Sequence, residues 1–289
     1  MKPKIAIADG NFGHHPASCA DGFSASFFEW DRTGEAVSDT CFITDLLLQK
    51  VDKCRAKRKV AWLIEPRSIN PRIYEWIEDN NHLYDFVLTF DKTLLDKGEN
   101  FLYMPFIVSW IEPPDHIDGY RTPKAEAYHA KTNPVSMIAS CKNMCAGHAF
   151  RQEVIEAVSS RVDHFGRGFK EIEKKEEGLY PYRFSIVLEN TQDDYYFSEK
   201  IVDCFATGTI PIYWGGSGVG KHYDEEGIIR FDTLDELDDI LSEIENGSAP
   251  SIYNNKYFGK ITDNWRKCRK TENRIPEDWM WKNYPFLFT

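Results

Sequence analysis

The sequence lacks the features that would place the protein in a membrane or outside the cell. No stretch approaches the roughly 18 uncharged apolar residues that a transmembrane helix needs. The apolar run at Ile5–Ala8 is too short for the core of a secretory signal and meets Asp9 at once. The 7 cysteines are scattered without a disulfide framework, so we expect mostly reduced thiols. These absences predict a cytoplasmic protein without a transmembrane segment.

Positive charge is also scarce, because 35 lysines and arginines face 46 aspartates and glutamates and leave a net charge of −11. Non-specific binding to nucleic acid needs a basic surface, so we expect no nucleic-acid partner. A phosphate-bearing ligand would have to be held by a few locally placed cations. Aromatic side chains, in contrast, are abundant at 8 Trp, 14 Tyr and 19 Phe, and their faces suit stacking on sugar rings and bases.

Several motifs of known chemistry are missing or incomplete. There is no Asp-x-Asp triplet, which one large class of nucleotide-sugar enzymes uses to hold a metal-bound diphosphate. Without a Gly-x-Ser-x-Gly elbow, a hydrolase triad has no visible anchor. Gly215–Lys221 has the spacing of a phosphate-binding P-loop, but His222 stands where that motif needs a hydroxyl. Two loose clusters only weakly favour a metal site, one at Cys141, Cys145 and His148 and one at His14, His15 and Cys19.

Short buried strands alternate with amphipathic helical stretches along the chain, which predicts an α/β protein with parallel sheets and helices on both faces. A proline-rich and charged stretch at residues 112–134 separates two such series and reads as a linker between two domains with a cleft between them. The predicted strands are Lys4–Ala8, Val60–Ile64, Asp85–Phe90, Val135–Ser140, Arg183–Leu188 and Thr209–Trp214. The predicted helices are Pro71–Asp79, Ala149–Ser159, Phe197–Ala206 and Leu234–Ile244.

The segment with most chemistry runs from a buried strand through Glu189 and Asn190 to a helix that opens with Ser198-Glu199-Lys200. In open α/β sheets ligands bind beyond the carboxyl ends of strands, and the N-terminus of a helix attracts anions. Lys200 adds a full positive charge there, and Glu199 could accept hydrogen bonds from vicinal hydroxyls. The alternative is an ordinary helix start, with Ser198 as the N-cap and Glu199 facing the helix dipole.

Three motifs carry a family resemblance: Leu188–Thr191, Tyr196–Lys200 and Ile210–Gly215. In this order and spacing the chain resembles the alpha-1,3/4-fucosyltransferases of glycosyltransferase family 10, particularly the bacterial members. Two departures are mild, Leu188 for an aromatic residue and Thr191 for serine. Upstream, Ile64-Glu65-Pro66 resembles the family's Glu-Ser-Pro signature without the serine, and Arg151 matches its phosphate-contacting arginine.

The resemblance implies a GT-B fold, with two facing Rossmann-like domains. Residues 1–130 would form the acceptor-side domain, and residues 131–289 the nucleotide-sugar domain, with a C-terminal tail returning to the first. It also implies transfer of fucose from GDP-fucose to a glycan hydroxyl, with inversion and without an obligatory metal or other cofactor. Two alternatives stay open, a GT-B transferase with another nucleotide-sugar donor and a non-catalytic carbohydrate-binding relative.

The resemblance also assigns roles to single residues. Glu65 would be the general base, and because it follows an apolar strand, partial desolvation could raise its pKa. Asp9, in the loop after the first strand, is the second candidate for the base. The donor would be bound by Arg151 and Lys200 at the diphosphate, by Asn190 and Glu199 at ribose or sugar hydroxyls, by Tyr196 beside the diphosphate, and by Glu189.

Overall fold

Two parallel β-sheets organise the chain in a computed structural model that describes residues 2–13, 15–19, 23–33, 38–113, 131–247 and 258–288. Each sheet forms the centre of one compact unit. Unit 1 comprises Met1–Val108, Asp193–Tyr196 and Thr271–Thr289, and unit 2 comprises Ser109–Gln192 and Phe197–Lys270. Most of the predicted linker, residues 114–130, lies outside the described residues, as does the predicted domain boundary at residue 130.

The sheet of unit 1 has the strand order β2-β1-β3-β4-β5-β6, and every neighbouring pair is parallel. Its strands are β1 (Lys4–Ala8), β2 (Glu29–Asp31), β3 (Thr40–Thr44), β4 (Arg58–Trp62), β5 (Phe86–Thr89) and β6 (Phe101–Tyr103). The three strands predicted in this region are confirmed, although β4 begins and ends two residues before the predicted one. The strands β2, β3 and β6 were not predicted, since each is only three to five residues long.

The sheet of unit 2 has the order β11-β10-β9-β7-β8 and is also parallel throughout. Its strands are β7 (Asn133–Ile138), β8 (Asp163–Phe165), β9 (Tyr182–Leu188), β10 (Ile210–Trp214) and β11 (Ile229–Arg230). The central strand β9 is buried along almost its whole length, as expected for a parallel strand covered on both faces. Three of the five strands were predicted to within two residues, and β8 and β11 were not.

Seven α-helices lie in the described ranges: α1 (Pro71–Asn80), α2 (Lys92–Leu95), α3 (Ala146–Val158), α4 (Glu199–Thr207), α5 (Leu234–Glu245), α6 (Phe258–Cys268) and α7 (Pro276–Asn283). Shorter 3-10 helices span Asp45–Lys53, Asn81–Leu83, Lys175–Gly178, Ser217–Lys221, Glu225–Gly227, Thr271–Asn273 and Pro285–Phe288. All four predicted helices are confirmed. A membrane-spanning helix was searched for over these same ranges, and none is both long and apolar enough.

The local sequence explains where the helices of the site begin and end. The Ser198 hydroxyl accepts from the backbone N–H of Lys200, so Ser198 is the N-cap of α4, as in the alternative interpretation of this segment. It ends at Gly208, whose φ of 64° is readily available to glycine. Helix α5 opens with a capping box in which Thr233 and Glu236 exchange hydrogen bonds with each other's backbone. The N-terminus of α4 is therefore placed by its own sequence at the carboxyl end of β9.

The last helix belongs to unit 1 and anchors its N-terminal loop. The buried carboxylate of Glu277 accepts hydrogen bonds from the backbone N–H and the hydroxyl of Ser18 and from the indole N–H of Trp30, all at 2.7–2.8 Å. The neighbouring Asp278 accepts from the backbone N–H of Ser26 at 2.6 Å. Burial raises the pKa of Glu277, and its three hydrogen bonds only partly offset this. Residues near the end of the chain thus hold residues near its beginning.

Candidate functional site

A cavity of about 280 Å³ lies in unit 2 beyond the carboxyl ends of β7 and β9, beside the first turn of α4. This is where ligands bind in open α/β sheets. Four cationic and two acidic side chains line it: Arg151, Arg167, Lys175 and Lys200 against Glu199 and Asp203. The cavity therefore carries an excess of positive charge in a chain whose net charge is −11. The local cations that a phosphate ligand would require are present.

A buried ion pair sets the position of Lys200. The Nζ atom of Lys200 lies 3.2 Å from Oε2 of Glu189 and 2.9 Å from the Ser198 hydroxyl oxygen. Glu189 is completely buried, and its carboxylate also accepts from the backbone N–H of Ser198 at 2.8 Å and from the Ser198 hydroxyl at 2.6 Å. Glu189 was predicted to bind the donor, but its side chain is not exposed to solvent. Its carboxylate contacts Ser198 and Lys200 at the start of α4. Its contacts position Lys200 and the helix N-terminus.

Glu199 is the first residue of α4 and is kept ionised by two lysines. Burial opposes its ionisation, but the charges of Lys200 and Lys175 outweigh burial and lower the pKa of Glu199 to about 2. Lys175 Nζ lies 3.6 Å from the Glu199 carboxylate and 2.8 Å from that of the buried Asp203. An ionised carboxylate in a positively charged cavity accepts hydrogen bonds only, which suits vicinal hydroxyl groups.

Sequence analysis missed Lys175 and Asp203. Asp203 lies one turn after Glu199 on α4, and its carboxylate also accepts from the Ser109 hydroxyl at 2.9 Å and the Trp110 backbone N–H at 2.8 Å. Lys175 follows β8 in a run of charged residues with no motif of its own. The acidic charges of Asp203 and Glu199 overcome the effect of burial and raise the pKa of Lys175. Glu199 and Asp203 are spaced i, i+4, which places both carboxylates on one face of α4. This spacing was the one sequence signal that could have pointed to Lys175 and Asp203.

Arg151, on α3, and Asn190, after β9, are joined in a second network. The guanidinium of Arg151 donates to the Asn190 side-chain oxygen at 3.0 Å and to the Leu188 carbonyl at 3.3 Å. His148 Nδ1 accepts from the Met144 backbone N–H at 3.0 Å, so its proton is on Nε2, which lies 3.1 Å from the same Asn190 oxygen. Two donors therefore fix the Asn190 amide with its oxygen toward α3.

This network depends on a close approach between α3 and the end of β9. A Cβ atom at Gly147 would lie 2.3 Å from the Asn190 carbonyl oxygen, so only glycine fits there. Burial, together with the positive charge of Arg151, lowers the pKa of His148, which keeps the imidazole neutral and its tautomer fixed. Since both ring nitrogens of His148 are engaged and Cys145 Sγ lies 3.3 Å from the Asn190 carbonyl, the cluster is hydrogen-bonded rather than arranged as a metal site.

The P-loop-like segment and the second cluster of possible metal ligands gain no support from the structure. Residues Ser217–Lys221 form a 3-10 helix after β10. In the second cluster of possible metal ligands, Cys19 is buried and His14 lies outside the described residues. Among the described residues, no group of three His, Cys, Asp or Glu side chains is placed to hold a metal ion.

Tyr196 and Glu65 lie in unit 1, as does Asp9, whereas the other predicted donor-binding residues lie in unit 2. Tyr196 is buried and packs on Phe90 with ring centroids 4.9 Å apart, and the preceding Tyr195 contacts Tyr103 at 5.6 Å. Tyr196 is not among the residues that line the cavity. Its role at the donor stays a prediction.

Glu65 follows the carboxyl end of β4, where its backbone is held from two sides. Its N–H donates to the Asp45 carboxylate at 3.2 Å, and its carbonyl accepts from the Tyr74 hydroxyl at 2.9 Å. Glu65 is partly exposed, whereas Asp45 and Tyr74 are buried. The role of Glu65 as the general base stays a prediction.

Asp9, the second candidate for the base, lies at the end of β1 and its side chain is completely buried. Arg32 forms an ion pair with it at 2.9 Å. The same carboxylate accepts from the backbone N–H groups of Asn11 at 2.7 Å and Phe12 at 3.1 Å, and from the Thr44 hydroxyl at 3.2 Å. These contacts occupy both oxygens of the Asp9 carboxylate, which favours Glu65 over Asp9 as the candidate base.

Comparison with known proteins finds similarity to fucosyltransferases both in sequence and in structure. Residues 128–283 match the family model described as glycosyltransferase family 10 (fucosyltransferase) C-term. A segment of 74 residues, 26% of this chain, is 34% identical to the alpha-(1,3)-fucosyltransferase FucT of Helicobacter pylori. A crystal structure of an alpha1,3-fucosyltransferase has a TM-score of 0.56 at 21% identity, covering 91% of this chain and 82% of that chain. Another, with GDP-fucose, has a TM-score of 0.52 at 18% identity, covering 93% and 90%.

The sequence matches and the structural matches cover different shares of the relatives. The aligned segment spans only 16% of the Helicobacter pylori protein, so the sequence likeness to that protein is confined to a short part of it. The structural likeness covers most of this chain and, at these identities, bears on the fold. Since these structural neighbours are GT-B glycosyltransferases, the GT-B assignment made from the sequence is confirmed.

Proposed function

Because the chain belongs to glycosyltransferase family 10, the fucosyltransferase family, we propose that it transfers fucose from GDP-fucose to a hydroxyl of a glycan acceptor. The observation that carries this proposal is the cavity of unit 2, where Lys200 and Arg151 supply positive charge beside the ionised Glu199. The likeness to solved alpha1,3-fucosyltransferases, one with GDP and one with GDP-fucose, supports the choice of donor. Unit 1, which carries Glu65, would bind the acceptor.

In this proposal each group has one task in an inverting transfer. Lys200 and Arg151 neutralise the charge that grows on the departing GDP, the α4 N-terminus adds its dipole, and Glu199 accepts hydrogen bonds from sugar hydroxyls. Asn190, with its oxygen held toward α3, keeps its amide N–H groups for the donor. Glu65 takes the proton of the acceptor hydroxyl as that oxygen attacks the anomeric carbon from the face opposite the leaving group.

The setting of the activity is part of the same proposal. All seven cysteines are free thiols, which supports a reducing compartment such as the cytoplasm. The net charge of −11 supports a neutral glycan rather than nucleic acid as the second substrate.

The donor is tested most directly by thermal unfolding with nucleotides. We expect GDP to raise the melting temperature more than UDP, ADP or CMP at equal concentration, because a ligand bound by the folded state stabilises it in proportion to its affinity. Transfer is then measured with GDP-fucose and a panel of neutral oligosaccharides containing galactose and N-acetylglucosamine. A larger shift with UDP would mean another nucleotide-sugar donor, whereas GDP binding without transfer or donor hydrolysis would favour the non-catalytic carbohydrate-binding relative.

We also expect transfer to persist in EDTA. The proposal assigns neutralisation of the diphosphate to two fixed cations, Lys200 and Arg151, so removing divalent metal should change turnover by less than about twofold. The measurement compares initial rates with excess EDTA and with added manganese or magnesium. Activity that is abolished by EDTA and restored by manganese would contradict this prediction.

A further inference from the structure

The described residues contain one non-glycine residue with a positive φ, and it lies next to the proposed base. Asp45 has a φ of 31° at the junction between β3 and the 3-10 helix Asp45–Lys53. L-residues seldom adopt such a conformation, and aspartate and asparagine tolerate it best among non-glycine residues. Backbone strain of this kind persists where the surrounding structure enforces it, and it is found preferentially at functional sites.

The carboxylate of Asp45 accepts hydrogen bonds from the backbone at and before Glu65. One carboxylate oxygen accepts from the backbone N–H of Ile64 at 2.8 Å, and the other accepts from the backbone N–H of Glu65 at 3.2 Å and from the Asn11 amide at 2.8 Å. The side chain of Asp45 therefore fixes two successive peptide groups at the end of β4. Since Asp45 is almost completely buried, little water competes for these contacts.

We propose that Asp45 is a positioning residue for Glu65, holding the backbone of the base in place through its hydrogen bonds to two successive peptide groups. This inference rests on the proposed function, in which Glu65 is the general base. A base must lie within hydrogen-bond reach of the proton that it takes, so a small displacement of its backbone would slow the reaction.

The electrostatic surroundings support this role. Burial, opposed by hydrogen bonds from Ile64, Asn11 and Glu65, raises the pKa of Asp45 to about 6, and the charge of Glu65 contributes to the increase. Above that pH the Asp45 carboxylate is ionised, and an ionised acceptor holds backbone N–H groups more strongly than a neutral one.

Other charged groups surround the same edge of the sheet. Burial raises the pKa of Tyr74, which lies on α1, and the negative charge of Asp45 raises it further. The charges of Asp91, Arg67 and Asp193 act on the same hydroxyl more weakly. Arg67 is neutralised by its ion pair with Asp91, and at the end of β1 Asp9 is neutralised by Arg32.

The decisive variant is Asp45→Asn, because asparagine keeps the shape and tolerates the backbone angle. Its amide N–H₂ group replaces one acceptor, so either Ile64 or Glu65 loses its hydrogen bond, and the charge is removed. The probe is amide hydrogen exchange of the whole protein, followed by NMR at the backbone N–H groups of Ile64 and Glu65. We expect exchange at one or both of these N–H groups to be at least about tenfold faster in Asp45→Asn than in the unsubstituted protein.

Turnover gives the second readout, measured as GDP release from GDP-fucose with the neutral oligosaccharide panel. We expect Asp45→Asn to lower kcat about tenfold or more while GDP affinity is unchanged, and the double variant with Glu65→Gln to be no slower than Glu65→Gln alone. Asp31→Asn, which removes a buried carboxylate at the end of β2 on the same sheet, is the matched control and should leave hydrogen exchange at Ile64 and Glu65 unchanged.

The outcomes separate this inference from the proposed function. Unchanged hydrogen exchange at Ile64 and Glu65 in Asp45→Asn, or an equal increase in Asp31→Asn, would overturn the positioning role even if Glu65→Gln is inactive. Full turnover in Glu65→Gln would reject Glu65 as the base and would overturn the positioning role with it.

Discussion

Replacing Lys200 with alanine is expected to weaken GDP binding and to cost about 2 to 4 kcal/mol of transition-state stabilisation with GDP-fucose. The reason is that its ammonium group lines the cavity at the N-terminus of α4, where negative charge would develop on the leaving diphosphate. The variant has a second effect, however. It leaves the completely buried Glu189 carboxylate without its cation, and an uncompensated buried charge is strongly destabilising.

A second variant separates the two effects. Glu189→Gln removes the buried charge, so we expect Lys200→Ala combined with Glu189→Gln to unfold at a higher temperature than Lys200→Ala alone. Turnover should not recover, because the cation at the cavity is still missing. If the double variant regains both stability and activity, Lys200 acts only through the fold and the diphosphate is bound elsewhere.

Arg151→Ala should produce a loss of similar size, since its guanidinium also lines the cavity. The substitution removes one of the two donors that orient the Asn190 amide, but His148 retains the other. Arg161→Ala is the matched control, because Arg161 follows the same helix and pairs with Asp238 and Glu245, on α5, outside the cavity. Equal losses in both arginine variants would indicate a general effect on unit 2 rather than a role in binding the donor.

The parts of the fold that the sequence predicted are those with long, uniform patterns. Strand β9 has seven residues and α3 has thirteen, so each carries a clear periodic signal. Strands β8 and β11 have three and two residues, and they exist because they extend a sheet that is already formed. Such short pieces have little pattern of their own, and long-range pairing determines them.

The residues of the candidate site fall into the same two groups, those that a sequence pattern indicated and those that it did not. Arg151, Asn190, Glu199 and Lys200 lie in or near motifs with recognisable spacing. The burial of Glu189 could not be read from its motif, because an acidic residue after a strand looks the same whether it faces a ligand or a helix N-terminus. Asp45 could not be found either, since neither a positive φ nor hydrogen bonds to residues 19 and 20 positions later leave a mark in the local sequence.

Replacing Glu65 with glutamine is expected to give the most selective loss of activity. Glutamine keeps the shape and the backbone hydrogen bonds to Asp45 and Tyr74, but its amide does not accept a proton at neutral pH. A positioned general base typically contributes 10²- to 10⁴-fold, so turnover should fall by about that factor. Because the base serves only the acceptor hydroxyl, GDP affinity should be unchanged.

The measurement pairs turnover with GDP affinity and the melting temperature of the same variant. A structural role for Glu65 would lower the melting temperature and weaken donor and acceptor binding together, whereas a base leaves all three nearly normal and slows only the chemical step. Asp9→Asn gives the comparison at the neighbouring strand end: loss of the ion pair with Arg32 should mainly reduce stability. Near-normal turnover in Glu65→Gln would remove Glu65 from the mechanism, and a selective loss of kcat in Asp9→Asn would return Asp9 to consideration.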